Sequence, residues 1–90
     1  SPRTKNPYSM ELHGVRKSEH DMLEIHLVND AKVLGSKISD LNLDKNILIT
    51  SIVRDGRIVA PKGHTVLESG DILFILAPTR LFSEIDEMFN

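Results

Sequence analysis

The sequence predicts a small α+β sandwich in the order β-α-β-β-β-α, with a mostly antiparallel sheet and helices covering one side. Three observations predict it. First, Asp55-Gly56 sits between two apolar runs, residues 47–53 and 58–60. A two-residue Asp-Gly loop is the strongest short-range hairpin signal, because a type I′ turn needs φ > 0 at both central positions. Second, Ser69-Gly70-Asp71 turns the chain into six consecutive apolar residues, 72–77. An unbroken run of that length suits a strand covered on both faces. Third, Leu81, Phe82, Ile85, Met88 and Phe89 recur at i, i+1, i+4, i+7 and i+8, the stripe of a helix lying on a core.

Residues 1–14 read as a linker or N-terminal extension. Residues 1–7 are polar, carry Pro2 and Pro7 and lack an initiator Met, which suggests a piece of a longer protein. Tyr8, Met10 and Leu12 alternate with polar residues, which predicts a short strand over 8–12 before Gly14. The domain proper is expected over 15–90, beginning with a charged loop at 15–21. Leu23, Ile25 and Leu27 then share one face of a strand, with Glu24 and His26 on the other. Ser36 is the expected N-cap of a short helix reaching Asn42, with Ile38 and Leu41 on one face. Strands over 47–54 and 57–61 flank the Asp-Gly turn. Thr79, after Pro78, is the expected N-cap of the closing helix, 79–89.

Composition narrows the function. Ninety residues are too few for two cores, and a chain of this size buries roughly 60–65% of its unfolded surface. A partner surface would therefore add stability. The net charge is −2 with acids and bases interspersed, and the aromatic residues are one Tyr and three Phe with no Trp. Neither feature suits nucleic acid, which asks for a basic footprint or a stacking platform. The absence of Cys removes disulfides, thiolate chemistry and Cys-type zinc sites together. No apolar run approaches the roughly 20 residues that span a bilayer.

Catalytic constellations are also missing. His13, His20, His26 and His64 are scattered and form no H-x-x-x-H pair, whereas zinc needs three or four converging ligands. Ordinary surface histidines explain them; a pH-sensing role is the other option for a side chain that titrates near pH 6.5. No Ser or Cys sits in a G-x-S-x-G elbow. Glu68 and Asp71, in E-S-G-D, read as turn residues before they read as a carboxylate pair. Gly63 and Gly70 build neither G-x-G-x-x-G nor a Walker loop. The chain is not expected to be an enzyme and holds no predicted metal site.

The order of these pieces resembles the C-terminal domain of the TrkA and RCK (regulator of potassium conductance) family. The resemblance covers residues 22–89. It comprises the strand at 23–28, Gly35-Ser36 opening the short helix, the hairpin around Asp55-Gly56 with a second strand ending at Pro61, Thr65-Val66-Leu67-Glu68-Ser69-Gly70-Asp71, the strand at 72–77 and the closing helix. No single piece is specific, but all of them in order are. The Pro61-Lys62-Gly63-x-Thr65 variant looks most like the copies on bacterial monovalent cation/proton antiporters of the cell-volume type.

The resemblance implies a homodimer with a small effector, cyclic di-AMP or another, bound between subunits. The family's pattern uses apolar residues on and after the short helix, a neighbouring base, an Asn-Ile opening the second strand and a Pro ending the third. The matching positions are Ile38 and Leu43 for the apolar wall, Asn46 and Ile47 for the strand opening, and Pro61. Asn46 offers a donor and an acceptor suited to an adenine edge or ribose. The chain departs from the pattern at the base: Asp44 stands at that place, with Lys45 beside it, and the loop before Asn46 is short. A carboxylate close to a phosphodiester is repulsive, so weak or no binding of cyclic di-AMP is expected. The bland alternative is that Ile38, Leu43, Ile47 and Pro61 only build the core and turns.

The expectation is thus a regulatory, ligand-sensing and dimerising domain of a monovalent cation (potassium or sodium)/proton antiporter, on the cytoplasmic face of the cell membrane. Its partner would be a membrane-embedded transporter domain. One alternative is the C-terminal domain of a potassium-channel or uptake gating subunit. Another is a dimerisation module without a ligand.

Overall fold

A computed structural model describes residues 19–90. The expected linker and the strand over 8–12 lie outside the described residues. Four strands form one antiparallel sheet in the order β1-β4-β2-β3: β1 His20–His26, β2 Leu48–Arg54, β3 Arg57–Val59 and β4 Ile72–Pro78. A 3-10 helix, Ile38–Leu41, lies between β1 and β2, and a 3-10 turn, Thr79–Leu81, leads into helix α1, Phe82–Phe89. The predicted α+β sandwich is therefore the fold, with every strand pair antiparallel.

The strands explain themselves by alternation. Ile25 on β1 and Leu73, Ile75 and Ala77 on β4 are buried and face the helical side, where Leu81, Ile85 and Phe89 complete the core. Leu27 joins them just beyond β1, as the predicted face requires. On β2, Ile49 and Ile52 both point inward although they are three positions apart. A β-bulge allows this: Ile49 pairs with Ile75 and Ser51 with Phe74, which leaves Thr50 as the extra residue. The Thr50 hydroxyl donates to the Phe74 carbonyl at 2.9 Å, satisfying a group beside the disturbed ladder.

The hairpin is as the sequence requires. Asp55 and Gly56 have φ of 50° and 76°, the double positive φ of a type I′ turn. Arg54 then pairs with Arg57 and Ile52 with Val59.

Several boundaries differ from expectation. β1 begins at His20, because β4 runs to Pro78 and gives His20 and Asp21 partners. Ser36 does not cap a helix. Its carbonyl instead accepts from Leu67 N–H at 2.9 Å, and the segment becomes a four-residue 3-10 helix closed by Asn42 at φ 51°. Thr79 opens a 3-10 turn rather than capping α1, whose first residue follows Leu81 without a side-chain cap.

The largest difference concerns β4. Its run 72–77 suggests burial on both faces, yet only Leu73, Ile75 and Ala77 are fully buried, while Ile72, Phe74 and Leu76 are half-buried. Among the described residues both helices pack on the inner side. The outer face carries apolar rows edged by polar residues: Met22–Leu76–Leu48, then Glu24–Phe74–Ser51, then His26–Ile72–Val53–Ile58. Leu48 is 58% exposed and Ile58 78%.

Candidate functional site

The segment that carries the expected effector residues is built from the core outward. Ile38, Leu43 and Ile47 are partly buried and rest on the hydrophobic core with Leu41. The Pro61 loop is fastened to the 3-10 helix: Ser39 N–H donates to Gly63 O at 2.9 Å and Ile38 N–H to Thr65 O at 3.0 Å. Thr65 holds that loop closed, its hydroxyl donating to Ala60 O at 2.9 Å and accepting from Lys62 N–H at 3.0 Å. Pro61 itself is half-buried just beyond β3.

Asp44 has a local task. Its carboxylate accepts the Asn46 N–H at 2.8 Å, and its carbonyl accepts the Ile47 N–H at 2.9 Å. This is an Asx-turn, in which a short acidic side chain imitates a turn of backbone. It turns the chain sharply into β2 and leaves the Asn46 side chain exposed.

A pocket of about 360 Å³ opens beside Asn46. The described residues lining it are Glu19, His20, Asn46, Pro78, Thr79 and Arg80. Of the six expected effector residues, only Asn46 lies on it. Sheet register places it. His20 pairs with Pro78 one step beyond the Met22–Leu76 pair of the same face, and Leu76 faces Leu48 on its other side. Asn46 lies in the turn that precedes β2. The pocket lies where β1 begins, β4 ends and the chain turns into β2. Among the described residues, the buried His20 Nδ1 has no hydrogen-bond partner.

The opposite end of the β2–β4 pair is closed by charge. Arg54, the last residue of β2, meets Asp71 through two parallel bonds, Nε to Oδ1 and an Nη to Oδ2, each 2.8 Å. The same guanidinium reaches the Val66 carbonyl at 2.9 Å and Glu68 Oε2 at 2.9 Å. Asp71 is 0% exposed and also accepts the Glu68 N–H at 2.9 Å. Burial alone would push the Asp71 carboxyl up. The Arg54 hydrogen bonds, the Glu68 N–H and the Arg54 charge together overcome it and hold the group below the usual carboxylate range. Arg54 is raised, chiefly by its bond to Asp71 and against the pull of burial, with the Asp71, Glu68 and Asp55 charges adding to it. Reading Asp71 as a turn residue missed this partner. The Gly70 position at φ 88° makes the turn, and the carboxylate fastens it to β2.

His26 and His64, the other described histidines, lie in different parts of the fold. His26 meets the Glu24 side chain on the exposed side of β1, and His64 is exposed. Among the described residues no group of three or more His, Cys, Asp or Glu converges on a common point. No helix among them is long and apolar enough to cross a membrane.

Comparison with known proteins gives consistent results. The family model described as the TrkA-C domain matches residues 22–90. The Trk system potassium uptake protein TrkA homolog of Archaeoglobus fulgidus is 36% identical over 73 residues, 81% of this chain and 17% of the relative. The K(+)/H(+) antiporter NhaP2 of Shewanella sp. (strain ANA-3) is 26% identical over 73 residues, 81% of this chain and 13% of the relative. The chain thus spans less than a fifth of the length of either relative. Among solved structures, the RCK C domain of the potassium transport protein KtrA in complex with cyclic diadenosine monophosphate matches with a TM-score of 0.68 and 26% identity, over 88% of this chain and 89% of that one. The RCK_C domain dimer of S. agalactiae BusR in complex with c-di-AMP matches with a TM-score of 0.67 and 26% identity, over 77% of this chain and 95% of that one.

Proposed function

Since the chain belongs to the TrkA-C domain family, we propose that it is a regulatory, effector-sensing and dimerising domain of a monovalent cation transport system, working on the cytoplasmic face of the membrane. One observation carries this reading: nearly the whole chain takes the fold of an RCK C domain that was captured with cyclic di-AMP. The outer face of the sheet, which no described helix covers, supports association, because exposed apolar residues such as Leu48 and Ile58 gain stability when a second copy covers them.

The domain would act without chemistry. An effector that binds one arrangement of the dimer better shifts the attached transporter toward the matching state, and only by that difference in affinity. Cyclic di-AMP is the effector class we favour, with Asn46 reading base or ribose, Ile38, Leu43, Ile47 and Pro61 shaping the wall, and Asp44 holding the turn that presents Asn46. The Asx-turn leaves the Asp44 carboxylate its negative charge, so binding of a phosphodiester is expected to be weak.

A potassium- or sodium-proton antiporter is the parent we favour. The NhaP2 relative and the Pro61-Lys62-Gly63 loop support it. The TrkA relative, with its higher identity, supports the second reading, a gating subunit of potassium uptake. The upstream reading frame separates them: a series of hydrophobic spans of about 20 residues each means a transporter, and a βαβ unit with G-x-G-x-x-G means a gating subunit. Sedimentation and calorimetry with cyclic di-AMP test the domain itself. A dimer with a saturable binding heat is expected. A monomer at micromolar and higher concentrations, without heat, would overturn the sensing role.

A further inference from the structure

The 3-10 helix Ile38–Leu41 carries part of the expected effector wall, yet it holds itself in place poorly. It has no fully buried residue and no side-chain cap. So short a helix needs support from outside. We propose that Arg54, the last residue of β2, is the positioning residue for this helix and acts on it through the segment 62–71. The inference deepens the reading of the domain as an effector sensor and takes its functional meaning from it.

The segment 62–71 belongs to no strand of the sheet and runs between the two. On one side it receives the helix and its approach. Ile38 N–H donates to Thr65 O at 3.0 Å, Ser39 N–H to Gly63 O at 2.9 Å and Gly35 N–H to Leu67 O at 2.8 Å. Leu67 N–H returns a bond to Ser36 O at 2.9 Å. Lys37 and Val66 sit opposite each other in an antiparallel bridge. The bonds of that bridge come from their neighbours, so the backbone groups of Val66 point the other way. Arg54 meets them there. Its guanidinium donates from all three nitrogens: Nε and Nη2 to Asp71, Nη2 also to Val66 O, and Nη1 to Glu68.

Two of these contacts go beyond the pair with Asp71. Val66 O and Glu68 direct the fork at the residues that hold the helix. Reaching all three partners takes planar donors set in different directions, whereas Lys offers a single nitrogen. Leu67, 1% exposed, pins the middle of the segment into the core. Loss of the fork therefore frees the segment locally: Val66 first, then its bridge to Lys37, then the N–H groups of Ile38 and Ser39. Contiguous hydrogen-bonded segments of this kind carry the influence of a distant side chain to a site.

Amide hydrogen exchange on the 90-residue chain, Arg54→Lys and Gly56→Val tests this. Gly56→Val is the matched control, since it strains the adjoining turn and leaves the guanidinium in place. In Arg54→Lys the Ile38 and Ser39 amides should exchange roughly tenfold faster, measured against the β4 amides of the same protein. In Gly56→Val that ratio should stay within about twofold of the unmodified chain. An unchanged ratio in Arg54→Lys, or equal shifts in both variants, makes Arg54 a general stabiliser and overturns the inference. Glu68→Gln removes one exposed contact of the fork and should shift the ratio in the same direction by about threefold. It decides the matter if Arg54→Lys does not fold, and no shift in it is then the overturning result. Calorimetry with cyclic di-AMP reads the consequence for the effector wall. Affinity should be about fivefold weaker in Arg54→Lys and within about twofold in Gly56→Val, because a loosened wall must be ordered on binding. Unchanged affinity in Arg54→Lys overturns the link to the wall while the sensing function stands. No binding by the unmodified chain overturns the sensing function, and the exchange ratio alone then decides whether Arg54 positions the helix.

Discussion

The two ends of the β2–β4 strand pair are built on opposite plans. At one end Arg54 and Asp71 form a bidentate pair with the carboxylate wholly buried, and the same guanidinium gathers Glu68 and Val66. At the other, Asn46, His20 and Arg80 line a pocket, and His20 Nδ1 has no partner among the described residues. Both ends concentrate polar side chains. One uses them to satisfy each other, and the other leaves Asn46 and Arg80 exposed. Satisfied networks rigidify a fold, whereas unsatisfied ones mark places where a ligand can be exchanged for water. The comparison places a closed stabilising network at one end and exposed polar groups at the other.

The closed end should therefore dominate the effect of mutation on stability. Removing Asp71 leaves Arg54 partly buried without its main partner and the Glu68 N–H unsatisfied. Breaking a buried pair by deleting one member costs about 3–5 kcal/mol. Arg54 keeps Glu68 and some contact with water, so Asp71→Ala should sit near the lower end, about 3 kcal/mol. Urea denaturation followed by circular dichroism reads this directly. A loss below about 1 kcal/mol would show that the closed end is ornamental and the comparison wrong.

The hairpin lies at the same end, since Arg54 and Arg57 flank its turn. Gly56 has φ 76° and a Cβ placed there would meet nothing within 4 Å. The expected cost of Gly56→Val is thus backbone strain alone, roughly 1–3 kcal/mol. An unchanged melting temperature would contradict the turn. Effector binding should survive as long as the variant folds, which separates the turn from Arg54.

Acid offers a gentler probe of the same pair. Asp71 is held below its ordinary range, so the native state binds its proton less readily than the unfolded chain does. Its contribution is present in full above the unfolded value, near 3.9, and is lost as pH falls through the lower native value. Stability of the unmodified chain should then fall more steeply below about pH 4 than that of Asp71→Asn. Parallel acid limbs for the two proteins would mean that the pair adds no pH dependence.

What the sequence disclosed follows from how local each feature is. The Asp55-Gly56 turn, the stripe from Leu81 to Phe89 and the strand ending near Ala77 depend on neighbours a few residues away, and all were legible. So was the family order of the pieces. The Arg54–Asp71 pair joins residues 17 apart with no repeating pattern to announce it, and Asp71 read naturally as a turn residue. The Thr50 bulge was hidden because Ile49 and Ile52 look out of phase until an extra residue is allowed. Six apolar residues in β4 did announce two apolar faces, but they could not say that the second face would lie open. The pocket was least legible. Asn46 was singled out by resemblance, yet His20 and Arg80 reach it only through sheet register and the turn after Pro78. Their types in sequence, an isolated His and an isolated Arg, carry no signal.

The smallest stability effect is also the sharpest test of the division of labour. Arg80 is exposed and unpaired among the described residues, and surface substitutions away from caps, cores and networks usually change stability by less than about 0.5 kcal/mol. Arg80→Gln should therefore unfold in urea at nearly the same midpoint as the unmodified chain. Asn46→Ala should do likewise, because its backbone N–H, not its amide, makes the bond to Asp44. Asp44→Ala, by contrast, removes the acceptor of that bond and should cost about 0.5–1.5 kcal/mol, the usual worth of one intramolecular hydrogen bond. If Arg80→Gln were as damaging as Asp44→Ala, Arg80 would be a structural brace and the open end merely a second closed one.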